Sequence, residues 1–183
     1  MDRLPIYNIV LGNAEGIKVM SLVDYPAVET NFLAFDKQQE MKFAVNEEEH
    51  IVFGCALRAD FPIYRFDRNG EYYVVFNKEV IKELYEKFLT ENLMNNVNLN
   101  HDKNTSGVYL IQSFIKDTDK GINPKGFEDC ADGSWFCAYK VTNDELWNGV
   151  KQGKFNGFSV EMICDLERQI EETDLIDEIL KDI

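Results

Sequence analysis

Positive charge is scarce in this sequence: 19 Lys and Arg stand against 33 Asp and Glu, a net charge of −14. No run of Lys or Arg offers a footprint for phosphates, which argues against nucleic acid as a partner. Part of the acidic excess is local, in Glu47-Glu48-Glu49 and between residues 165 and 182. It reads as solvated surface and tail, with attraction to a basic partner as the alternative. Long apolar runs are also missing. Nothing approaches the roughly 20 residues of a membrane span, and the first residues lack the charged-then-apolar layout of a signal peptide, so the expected location is cytoplasmic. The four cysteines, Cys55, Cys130, Cys137 and Cys164, match neither a zinc pattern nor a CxxC redox pair. Three lie in apolar stretches and read as buried, reduced thiols. No metal or organic cofactor is expected.

What is present is ample material for a core. Apolar residues make up 45% of the 183, and aromatics 13%, too much for a disordered chain. A single domain over 1–183 is predicted, burying roughly two-thirds of the surface its unfolded chain would expose. Branched and aromatic residues mark strands at 16–23, 41–45, 50–58 and 72–76, punctuated by Pro26, Asn46, Pro62 and the Arg68-Asn69-Gly70 turn. The period then changes. Val80, Ile81, Leu84, Tyr85, Phe88 and Leu89 recur at helical spacing, with Asn77 as N-cap. Strands resume at 97–100 and 107–115. The polar connection 116–133 exceeds what packing needs and reads as a candidate substrate flap. A strand at 134–141 precedes Thr142-Asn143-Asp144-Glu145, a capping box that opens a short helix stopped by Gly153. Residues 155–166 read as one buried strand, with Ser159, Glu161 and Ile163 on one face. Leu175, Ile176, Ile179 and Leu180 mark an acidic amphipathic helix at about 173–183. The fold class is α+β, mainly β, built on an antiparallel sheet or barrel flanked by helices.

Two segments carry the chemistry. Val97-Asn98-Leu99-Asn100-His101-Asp102-Lys103 ends a strand with one of only two histidines, and Gly153-Lys154-Phe155-Asn156-Gly157-Phe158-Ser159-Val160-Glu161 sets a hydroxyl between apolar neighbours after a glycine. A base and a nucleophile are what acyl transfer needs, since a serine hydroxyl attacks poorly until an imidazole takes its proton. Read without further context, His101 is equally a surface or satisfied core histidine, and serines are common in strands. His50 follows three glutamates at a strand start and reads as structural.

Further segments extend the pattern in order: Met20-Ser21-Leu22-Val23-Asp24-Tyr25-Pro26-Ala27-Val28, Phe53-Gly54-Cys55-Ala56-Leu57-Arg58-Ala59-Asp60, Ile63-Tyr64-Arg65, Asn100-His101-Asp102, Gly126-Phe127-Glu128-Asp129, Gly133-Ser134-Trp135 and Asn156-Gly157-Phe158-Ser159-Val160-Glu161. Together they resemble the phage prohead serine proteases, specifically the XkdF-like protease domain of PBSX-like prophages. The resemblance implies a herpesvirus-assemblin-like β-barrel ringed by helices, with His101 as general base and Ser159 as nucleophile. It further implies cleavage of major capsid protein and scaffold protein inside the procapsid, in the bacterial cytoplasm, and self-association. For the group that orients the imidazole, Glu161 is favoured because it shares the serine's strand face; Asp102, Asp165 and Glu167 are the alternatives. Backbone N–H groups near Gly157 are the expected oxyanion donors, and Arg58 and Arg65 are read chiefly as structural. Two other classes compete. One is a non-catalytic capsid-assembly or scaffold protein that keeps the protease fold. The other is a hydrolase using Cys55 or Cys164, disfavoured because apolar burial raises a thiol's pKa.

Overall fold

The computed structural model describes residues 4–12, 16–23, 44–47, 49–68 and 70–169. Twelve described strands, β1 (Ile6–Val10), β2 (Gly16–Val23), β3 (Ala44–Asn46), β4 (Ile51–Leu57), β5 (Ile63–Asp67), β6 (Gly70–Val75), β7 (Val97–Leu99), β8 (Lys103–Asn104), β9 (Val108–Ile115), β10 (Trp135–Val141), β11 (Gly157–Ile163) and β12 (Asp165–Arg168), accompany two α-helices, α1 (Lys78–Thr90) and α2 (Asp144–Lys151). The strands form three four-stranded sheets in the orders β12-β1-β6-β5, β3-β4-β10-β9 and β11-β2-β7-β8. The mainly-β α+β class holds. The expected closed barrel is not seen: among the described residues no sheet returns to its first strand. Most pairings are antiparallel, but β1–β6 and β2–β7 are parallel.

The core lies between these sheets and α1. Trp135 and Tyr139 from β10, Met20 and Leu22 from β2, and Ile81, Leu84 and Phe88 from α1 are all fully buried. The i, i+3, i+4 spacing of the helical residues gives α1 one apolar face, and Phe88 and Tyr85 meet the Trp135 ring edge-on at 5.2 and 5.8 Å. Asn77 caps α1 as expected, its Oδ1 accepting from Val80 N at 2.8 Å. For α2 the cap falls one residue later than the predicted box. Asn143 accepts from Leu146 N, while Thr142 donates to the Gly107 carbonyl.

Several boundaries differ from the sequence expectation. The predicted strand 155–166 is two strands. A register shift between Glu161 and Met162 breaks the ladder, β11 stops at Ile163, and β12 crosses to pair with β1. Strands β1 and β5 were not expected; β1 gains its pairing from distant partners, whereas β5 pairs antiparallel with β6, the next strand in the chain. The connection 116–133 is no free flap. Lys116, 2% exposed, donates from Nζ to the carbonyls of Phe127, Glu128 and Cys130 at 3.1, 3.1 and 2.6 Å. Arg58 grips Asp129 from the other side, and Phe127 and Cys130 fill a second apolar cluster with Cys55 and Phe136. The predicted helix at 173–183 lies outside the described residues.

Candidate active site

The third sheet assembles the site. Strand β2 is its centre, pairing with β7 in parallel so that Ser21 lies level with Asn98, and with β11 antiparallel so that Ser21 lies opposite Ser159. Directly opposed residues present their side chains to the same face. Ser21, Asn98 and Ser159 therefore share one, and Glu161, two residues on from Ser159, joins them.

His101 enters from the turn that follows β7. Asn100 and His101 both have left-handed φ, 50° and 59°, and Asp102 N closes the turn on Leu99 O at 3.1 Å. Positive φ at both central positions belongs to the primed hairpin turns, whose twist matches that of the strands they join. Asn and His are among the non-glycine residues that adopt this backbone most readily. Asn100 N also donates to Leu22 O, tying the turn to β2.

His101 Nδ1 lies 3.1 Å from Glu161 Oε1 and 3.0 Å from Ser21 Oγ. Asn98 Nδ2 donates to the same carboxylate oxygen at 2.5 Å. Glu161 is thereby held below the usual carboxylate range, first by the Asn98 amide and then by His101 and Ser21, with burial opposing them. An ionised carboxylate can only accept, so Nδ1 carries the proton in this arrangement and, in the neutral ring, Nε2 is left with the lone pair. The geometry fixes the tautomer that a serine nucleophile requires.

Of the predicted site residues, His101 and Glu161 are thus in contact. Among the described residues no hydrogen bond joins Ser159 to His101; the hydroxyl at Nδ1 is that of Ser21. Accessibility separates the two serines. Ser21 is 0% exposed, whereas Ser159, 7% exposed, borders a cavity of about 540 Å3 that Glu161 also lines. Ser21 belongs to the orienting side of the imidazole. The alternatives for the third residue lie elsewhere: Asp102 in the turn makes no described contact with the ring, and Asp165 and Glu167 pair along β12 with Val10 and Asn8 of β1.

Neither Ser21 nor Asn98 was assigned a role from sequence. The signal that could have found them is a polar residue inside an apolar strand, in Met20-Ser21-Leu22 and in Val97-Asn98-Leu99, where burial demands a partner. His50 stacks on Trp147 at 4.6 Å, away from this cluster. Burial pushes the Cys137 thiol up to about 12 and raises that of Cys55 as well, which disfavours either as a nucleophile. Among the described residues no group of three or more His, Cys, Asp and Glu side chains could hold a metal ion, and no helix is long and apolar enough to cross a membrane.

A family model described as "Putative phage serine protease XkdF" matches residues 40–168. The chain belongs to that family. The matched span contains Asn98, His101, Ser159 and Glu161. No curated protein and no solved structure shows a significant match.

Proposed function

We propose that the protein is a serine endopeptidase of phage capsid maturation, acting on scaffold and capsid-protein segments inside the procapsid within the bacterial cytoplasm. The observation that carries this reading is the Glu161–His101 pair, which leaves Nε2 basic, on the sheet face that Ser159 shares with Glu161. Ser159 Oγ attacks the scissile carbonyl while Nε2 takes its proton. Glu161 holds Nδ1–H and stabilises the imidazolium that forms. The imidazolium returns the proton to the leaving amine, and water attacks the acyl-enzyme by the same route in reverse, restoring the hydroxyl. Ser159 and Nε2 must come within hydrogen-bond reach when substrate binds, since catalytic hydrogen bonds often form fully only in the complex.

One observation favours a second reading. The hydroxyl bonded to the imidazole is a fully buried one, as would suit a non-catalytic assembly protein that keeps the protease fold. Co-expression with capsid and scaffold proteins, read by mass spectrometry, decides between them. The wild type is expected to process its substrates, and Ser159→Ala and His101→Ala to leave them whole; binding without cleavage by the wild type would establish the assembly role instead.

A further inference from the structure

We propose that Arg65 selects substrates carrying an acidic side chain a few residues from the scissile bond. This rests on the protease reading above and adds to it a specificity residue. The cavity that Ser159 and Glu161 border is otherwise largely apolar, with Ile9, Leu57, Ile63, Val74 and Phe158 among its walls, and two arginines reach it. Arg58 is already committed: its Nη2 lies 3.0 Å from the Asp129 carboxylate and 2.8 Å from the Asp129 carbonyl oxygen, and its guanidinium covers the Phe61 ring. Arg65 is not. Its described hydrogen bond runs from Nη1 to the carbonyl of Tyr64 at 3.0 Å, and among the described residues no carboxylate pairs with it. The ionisable groups it feels are the Tyr72 hydroxyl and the Cys164 thiol, while burial depresses its pKa.

A guanidinium withdrawn from water without a counter-ion is costly, and its five donors are under-used. Among the described residues the one carboxylate bordering the same cavity, that of Glu161, already accepts from Asn98 and His101. An incoming Asp or Glu side chain would supply the missing acceptor in the bidentate geometry that arginine favours. Arg65 and Ser159 line the same cavity, so an acid held by Arg65 belongs to the same bound peptide, a few residues from the bond cut. It is a subsite remote from the reacting carbonyl.

Digestion of a proteome-derived peptide library by the full chain, with cut sites read by mass spectrometry, tests this. The wild type is expected to enrich Asp and Glu at one fixed position within about five residues of the cut. Arg65→Met should lower kcat/KM for an acidic peptide by about 10- to 100-fold, the worth of a charge-assisted contact, and leave its Gln counterpart within about threefold. Arg65→Lys should keep a weakened acid preference, which guards against misfolding of the Met variant, and Arg65→Glu should transfer the preference to Lys or Arg. Labelling of Ser159 by a fluorophosphonate should be the same in all of these proteins. A labelled, active wild type with no acid preference, or an Arg65→Met protein that loses both peptides equally, would overturn the subsite alone. A wild type that neither labels nor cuts would overturn the protease reading, and the subsite with it.

Discussion

Replacing Glu161 with Gln keeps the side chain's shape and removes its charge, and the structure fixes how much that should matter. The His101 and Glu161 side chains are 41% and 37% exposed, with 3.1 Å between Nδ1 and Oε1. Water reaches both, so an effective dielectric of about 40 to 80 applies rather than that of an interior pair. Over that separation the imidazolium formed during attack is stabilised by about 1.3 to 2.7 kcal/mol. The expected loss in kcat/KM is therefore about 10- to 100-fold. A drier triad loses more, about ten-thousandfold on the same kind of change. The assay is steady-state cleavage of a peptide spanning the mapped capsid or scaffold site, with Ser159→Ala and His101→Ala setting the floor. A Glu161→Gln enzyme within twofold of wild type would refute the orienting role. Activity as low as that floor would refute the solvent screening on which the magnitude depends.

Glu161 should titrate, by carboxyl carbon NMR, below the ordinary glutamate range, and Asn98→Leu should move that midpoint upward because the Asn98 amide is the leading cause of the depression. Because the folded value is the lower one, the stability Glu161 contributes is present above its unfolded value and is lost as pH falls through the folded value; an unchanged midpoint in Asn98→Leu would contradict the assignment. Lys116→Met leaves three carbonyls without their shared donor, and chemical denaturation should show a loss of about 3 to 5 kcal/mol with faster amide exchange across 117–133. Gly133→Ala is expected to cost about 2 to 4 kcal/mol, since Gly133 has φ +91° and a Cβ there would stand 2.3 Å from Lys78 Cβ. A melting temperature within a degree of wild type would contradict that packing.

Local signals carried far in the sequence where one element could satisfy itself. The heptad-like spacing of Ile81, Leu84 and Phe88 and the Asn77 cap placed α1 within a residue of its observed start. The stretches 16–23 and 50–58 likewise read as strands because each is rich in branched or aromatic residues. What stayed hidden depends on distant partners. Strands β1 and β12 exist through each other and through β6, and nothing local to Ile6–Val10 specifies a parallel neighbour 65 or more residues away. Neither the register shift after Glu161 nor the crossing to another sheet beyond Ile163 leaves a mark in the local sequence. The site divides in the same way. Glu161 was reachable because it shares a strand face with Ser159, two positions apart. Ser21 and Asn98 arrive from other strands, and only the β2–β7 and β2–β11 registers bring them to the imidazole.

On the proposed mechanism the imidazole of His101 activates the hydroxyl of Ser159, a residue that lines the cavity, rather than that of the fully buried Ser21. Treatment of the purified protein with a fluorophosphonate, followed by peptide mapping, tests this most directly. The adduct is expected on Ser159, absent in His101→Ala and still formed in Ser21→Ala. An adduct on Ser21, or labelling of Ser159 that survives the loss of His101, would contradict the account.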